Sequence, residues 1–167
     1  MTLTHHATCL LTEYLRSRGG HVTSYIPARL EEGYGLNPIA IDTLKKQGVE
    51  LIVTVDCGIT ANQEAALCRE LGIDLVITDH HECHEKLPDA QAVVDCKRTD
   101  DTYPFSSLAG VGVALKLVQI LGARMGYPHL WRSYTDFATL GTVADLMPMR
   151  GENRALVADG LVHMNTK

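Results

Sequence analysis

An aspartate and two histidines stand side by side at Asp79-His80-His81, directly after the apolar run Asp74-Leu75-Val76-Ile77-Thr78. A second apolar run, Leu51-Ile52-Val53-Thr54-Val55, ends the same way in Asp56-Cys57-Gly58. Carboxylate plus imidazole suits Mn²⁺, Fe²⁺ or Zn²⁺ better than Ca²⁺, and no thiolate set with structural-zinc spacing accompanies it. In a parallel α/β sheet, ligands bind beyond the carboxyl ends of the strands, so the two loops would share one site. Such sites often hold two metals about 3.5–4 Å apart that clamp both oxygens of an in-line phosphoryl displacement. A single aspartate at a strand end more simply caps a turn. An Asp-His-His group matched by Asp56 makes that reading the weaker one.

Other candidates carry less. His80, His81, Cys83 and His84 form a compact group, but their spacing matches no familiar structural-zinc pattern. His5-His6 is a histidine pair near a terminus, more often inert than ligating. Ala109-Gly110-Val111-Gly112 is a lone Gly-x-Gly at a helix start. It would either bring backbone N–H groups of Gly110 and Gly112 near a phosphate or allow close helix packing. Cys57, Cys68 and Cys96 read as small core fillers. No Ser-His-Asp or Cys-His nucleophile arrangement stands out.

The elements that must position these residues alternate between helix and strand. A short amphipathic helix over about 7–17 ends at Gly19-Gly20. His21–Ile26 reads as a strand closed by Pro27. After a loop holding Gly33-Tyr34-Gly35, Asn37-Pro38 opens a helix running to about Gln47, with Asn37 as cap. Glu50–Val55 reads as a strand, and Thr60-Ala61-Asn62-Gln63 as a capping box opening a helix to about Leu71. Strands follow at Asp74–Thr78 and Gln91–Asp95. The strands are continuously apolar and mostly separated by helices, which predicts an α/β fold with a parallel sheet covered on both faces. From Ser106 onward the chain turns helical. Leu108, Val111, Leu115 and Val118 recur on one face, predicting core. Gly126, Pro128 and Trp131 mark a break before helices at about 134–144 and 153–163. This divides the chain into a sheet part at about 1–105 and a helical part at about 106–167.

Length and composition set the bounds. The 167 residues make one ordinary domain, and 46% hydrophobic with 21% charged residues describes a soluble globular protein. No apolar run approaches a membrane span, and no signal peptide opens the chain. Five cysteines at scattered positions make no disulfide framework and fit a reducing cytoplasm. The formal charge of −5 gives no electrostatic footprint for nucleic acid. Any such binding would use a local groove, a metal or parts beyond this sequence. The ending His163-Met164-Asn165-Thr166-Lys167 carries no closing element, so continuation in a longer protein is expected.

Four segments occur in order: Thr54-Val55-Asp56-Cys57-Gly58-Ile59, Val76-Ile77-Thr78-Asp79-His80-His81, Leu108-Ala109-Gly110-Val111-Gly112-Val113-Ala114 and Leu140-Gly141-Thr142-Val143-Ala144-Asp145. Together they resemble the DHH phosphoesterase superfamily over nearly the whole chain. Ile26-Pro27-Ala28-Arg29-Leu30-Glu31-Glu32-Gly33-Tyr34-Gly35-Leu36 and Gly151-Glu152-Asn153-Arg154 favour its single-strand-specific DNA exonuclease branch. The resemblance implies a site for two Mn²⁺ or Mg²⁺ ions, with Asp56 bridging them and His80 and Asp145 as further ligands. It places His81 near the scissile phosphate and has Asp79 orient the imidazoles. The implied reaction is metal-dependent phosphodiester hydrolysis releasing nucleotides from a 5′ end of single-stranded DNA, in repair and recombination. Two alternatives are a DHH phosphodiesterase acting on short oligoribonucleotides or cyclic dinucleotides, and a non-catalytic chain that binds metal or a partner.

One part of the family pattern is absent. DHH exonucleases place an Asp-x-Asp-x-Asp-Gly motif on a first strand before the first helix, and no aspartate precedes Asp42 here. The resemblance therefore implies a missing central strand, an incomplete metal pair, impaired activity of this chain alone, and possible self-association of the interrupted sheet.

Overall fold

In the computed structural model, residues 4–27 and 35–166 are described. The apolar runs at 51–55, 74–79 and 92–95 become strands β1 (Leu51–Val55), β2 (Asp74–Asp79) and β3 (Ala92–Asp95). They pair in parallel in the order β1-β2-β3, with Val55 opposite Thr78 and Asp79 opposite Asp95. The register brings the carboxyl ends of all three strands to one edge of the sheet.

Helices cover both faces, as the continuous apolarity of the strands predicts. Side chains alternate across a strand, so Ile52, Leu75 and Ile77 join Ile41 and Leu44 of α2 (Pro38–Lys46) and Ala65 and Cys68 of α3 (Asn62–Glu70). Val53 and Val55 face the other way. They meet Leu10, Leu11 and Tyr14 of α1 (Thr4–Ser17) and Val111, Leu115 and Val118 of α4 (Gly110–Arg124). Leu108 belongs to the same core, although it precedes the helix, where Ala109 is the cap.

The chain then makes a short 3₁₀ turn, Leu130–Tyr134, before α5 (Thr135–Ala144) and α6 (Gly151–Asn165). The contact between α4 and α5 is close because Gly141 has no side chain. A Cβ there would lie 2.6 Å from Val111 Cγ1. That approach brings the end of α5 toward the sheet edge.

The start of α2 follows its sequence signal, with the Asn37 side chain accepting a hydrogen bond from Ala40 N at 2.9 Å and Pro38 in the first turn. Two expectations are corrected. The capping box at Thr60-Ala61-Asn62-Gln63 does not form. The turn closed by Ala61 N to Gly58 O carries the chain further, α3 starts at Asn62, and Ala61 caps it without a side-chain hydrogen bond. Nor is His21–Ile26 a strand: it joins no sheet among the described residues, and the Arg16 guanidinium donates to Val22 O instead. Between this segment and β1 lies an open groove of about 1500 Å³, lined by Leu11 and Leu15, by residues 21–27 and by β1 itself. Among the described residues, β1 has no neighbour on that side. The loop residues Gly33-Tyr34 and the stretch Ala28–Tyr34 of the longer family segment lie outside the described residues, as do Met1-Thr2-Leu3.

Candidate metal centre

β1 ends at Val55, but its hydrogen bonding continues one residue further, through Asp56 N to Thr78 O at 3.0 Å. Asp56 then takes a left-handed backbone, with φ of 61°. This turns its carboxylate across the end of β2. The N-terminus of α4 abuts it so closely that a Cβ at Gly110 would fall 2.3 Å from Asp56 Oδ1. Glycine is what permits the approach, and the positive end of the helix faces the carboxylate.

β2 delivers the next three residues. Asp79 is 1% exposed. Its Oδ2 accepts from Ile59 N at 3.0 Å, and its Oδ1 accepts from His80 N at 2.8 Å. The same Oδ1 lies 2.6 Å from His81 Nδ1. Asp79 thus ties the two strand-end loops together and holds the exposed His81 ring. The His80 ring points elsewhere: its Nε2 sits 3.0 Å from Asp56 Oδ1 and 3.4 Å from Asp145 Oδ2. Asp145 comes from the C-terminal end of α5, its N–H bonded to Gly141 O at 3.0 Å. The next residue, Leu146, has φ of 53° and is 91% exposed.

Two carboxylates therefore converge on one imidazole nitrogen. One ligand atom each from Asp56, His80 and His81 also falls within 4.8 Å of the others. Asp145 Oδ2 is buried without a hydrogen-bond partner; its 3.4 Å approach to His80 is an ion-pair distance lacking hydrogen-bond alignment. Buried carboxylate oxygens left in this state favour a cation among them, so the donor set fits a hard or borderline divalent ion.

The electrostatics agree. Burial alone would strip His80 of its proton, but the hydrogen bond to Asp56 and the charges of Asp56, Asp145 and Asp79 outweigh it and raise its pKa. Burial raises the Asp145 carboxyl, with the Asp56 charge acting in the same direction against the opposing pull of His80, His81 and Lys97. Cys57 is pushed up to about 12 by burial and by the neighbouring Asp79 and Asp56, which makes it an inert thiol.

The remaining candidates separate clearly. Gly110 lies at the centre, while a Cβ at Gly112 would meet only the Leu108 side chain, at 3.2 Å. Cys83 and His84 take no part in a metal-type cluster among the described residues. Cys68 and Cys96 are buried core residues. His6 packs against Gly141 and takes no part in a metal-type cluster among the described residues. Asp95, at the end of β3, is a buried carboxylate beside the centre, opposite Asp79, that sequence reasoning misses. It is 1% exposed, and its Oδ2 is buried without a partner. The signal is present, since Gln91–Asp95 also ends an apolar strand in aspartate, but no histidine follows to draw attention to it.

The family is shown by comparison: the N-terminal domain of the DHH family matches residues 4–142, and the chain belongs to that family. Within the family its similarity is to RecJ-type proteins. It is 44% identical over 155 residues to the single-stranded-DNA-specific exonuclease RecJ of Bacillus subtilis (strain 168), an alignment that covers 93% of this chain and 19% of that protein. A crystal structure of exonuclease RecJ bound to manganese superposes with a TM-score of 0.85 at 38% identity, over 94% of this chain and 40% of that one. RecJ from Thermus thermophilus in complex with Mn²⁺ gives a TM-score of 0.77 at 33% identity, over 94% and 22%. The chain thus spans less than half the length of these relatives. Asp145 lies three residues past the family match.

Proposed function

We propose that this chain is the metal-binding part of a RecJ-type exonuclease that hydrolyses phosphodiester bonds of single-stranded DNA from a 5′ end. The observation that carries the reading is the convergence of Asp56 and Asp145 on His80 Nε2 at 3.0 and 3.4 Å. Asp56, His80 and Asp145 would hold Mn²⁺ or Mg²⁺. When bound, such an ion supplies Lewis acidity at a phosphoryl oxygen and lowers the pKa of water. His81 stands at the open side of the centre, where it meets the scissile phosphate, and Asp79 fixes its ring through Nδ1. Gly110 lets the α4 N-terminus, with its outward N–H groups, approach the same point. Gly112, one turn position further in, contributes packing. The five cysteines are all free, which suits a reducing, cytoplasmic setting. No helix among the described residues is long and apolar enough to cross a membrane.

Among the described residues, the ligand set is short for two ions. Three donors from Asp56, His80 and Asp145 hold one ion loosely, and without a second the clamp on both oxygens is lost. Activity of this chain alone is therefore expected to be very low. The groove beside β1 is the place from which further carboxylates would reach the centre, and it also leaves β1 open to a second copy of the chain. Mn²⁺ titration by calorimetry, beside a nuclease assay on 5′-labelled single strands, tests this. One weak site with slow digestion is expected. Two tight sites with robust digestion would overturn the account of an incomplete centre. Preference for short oligoribonucleotides or cyclic dinucleotides over DNA would overturn the substrate assignment.

A further inference from the structure

The end of β3 carries groups that the metal centre does not use. Asp95 stands opposite Asp79 in the sheet, and its Oδ1 accepts from Lys97 N at 2.8 Å. This bond turns the chain at the strand end and fixes where Lys97 departs. The Lys97 side chain, 28% exposed, runs to Glu82 Oε1 at 2.9 Å. Glu82 directly follows His81, so the pair bridges the loops after β2 and β3 at the mouth of the centre. Asp95 and Asp145, whose carboxyls burial raises, both lie within reach of the ammonium's charge.

Glu82 is a weak partner for this ammonium. Its side chain is 85% exposed, and solvent screens the attraction to such a partner. The centre gathers Asp56, Asp79, Asp95 and Asp145 in a chain of net charge −5, an arrangement that repels a polyanion. A cation at the mouth offsets that repulsion where a strand must enter. We propose that Lys97 is a phosphate-binding residue for the nucleic-acid strand. Its ammonium exchanges Glu82 for a phosphodiester oxygen beside the phosphate that meets His81, and Glu82 occupies the lysine until a strand arrives. The inference rests on the reading of this chain as part of a single-strand nuclease, and it names a contact that the reading does not require.

The test is fluorescence anisotropy of a labelled oligothymidylate with the whole chain, with and without Mn²⁺, across a salt series. Lys97→Gln is expected to weaken binding about three- to tenfold at low salt and to flatten the log–log salt slope by about 0.7, one phosphate contact on a single strand. Glu82→Gln is expected to tighten binding, and the double variant to bind like Lys97→Gln. Melting temperatures establish that the variants are folded. An unchanged salt slope in Lys97→Gln, or a Glu82→Gln variant that binds no more tightly than wild type, overturns the assignment and leaves the pair as a staple between loops. Binding that shows the Lys97 effect without Mn²⁺ dependence overturns the metal reading alone. A wild-type chain that retains no oligonucleotide even at low salt overturns both.

Discussion

At His80, proton and metal compete for one nitrogen. Its pKa is raised because Asp56, Asp145 and Asp79 outweigh the effect of burial. A group whose folded pKa exceeds its unfolded value contributes stability in full below the unfolded value, about 6.5 for histidine. That contribution is lost as pH rises through the folded value. The metal-free protein is therefore expected to lose thermal stability across this window, and His80→Gln to flatten the loss. Apparent Mn²⁺ affinity should run the other way, tightening as pH rises, with proton release visible in calorimetry across buffers of different ionisation enthalpy. Affinity independent of pH from about 6 to 8 would show that His80 is not a ligand. Asp79 has a different task. It satisfies Ile59 N and His80 N at a position almost sealed from solvent. Asp79→Ala strands those donors and should reduce stability by about 1–3 kcal/mol, read from the urea midpoint.

Among the elements, what is legible from sequence follows what each signal depends on. β1 and β2 are readable because strands covered on both faces write their burial into successive residues, whereas β3, with Ala92 and Val94 exposed, is readable from its apolar residues alone. The α2 start is readable because Asn37-Pro38 acts within one turn. His21–Ile26 misleads because a strand also needs a neighbour, which no local pattern encodes. The α3 start misleads because the turn after Gly58 moves the cap. The strand-end placement of Asp56 and Asp79-His80-His81 can be argued from residues alone. Asp145 is reached only through resemblance, since its distance to His80 depends on how α5 packs. That packing gives an expected outcome. Gly141→Ala drives a methyl into Val111 and should displace the end of α5, weakening Mn²⁺ binding more than it lowers the melting temperature. Val111→Ala in the same chain should restore part of the affinity, by making room. Affinity unchanged in the single variant would mean that Asp145 is not held by this contact.

For the molecule as a whole, β1 is one of the two edge strands of the sheet among the described residues. Among the described residues, β1 presents unpaired backbone to the groove shared with residues 21–27, and Leu51 beside it is 52% exposed. Such an edge recruits strands from other chains. Sedimentation should show a concentration-dependent dimer or larger species, and Leu51→Lys should shift it toward monomer, since a charged edge residue opposes pairing. A wild-type chain that stays monomeric at high concentration would show that the groove is closed to a second copy.

Asp56 and Leu146 are the two non-glycine residues with left-handed backbone among those described, and they stand at either side of the same centre. For an L-residue this conformation is disfavoured by about 1–2 kcal/mol. The two positions set opposite limits on heat adaptation. Leu146→Gly would relax the backbone and raise the melting temperature without removing any ligand. At Asp56 the same relaxation removes the carboxylate, so a lineage selected for thermal endurance can shed the first strain but must keep the second.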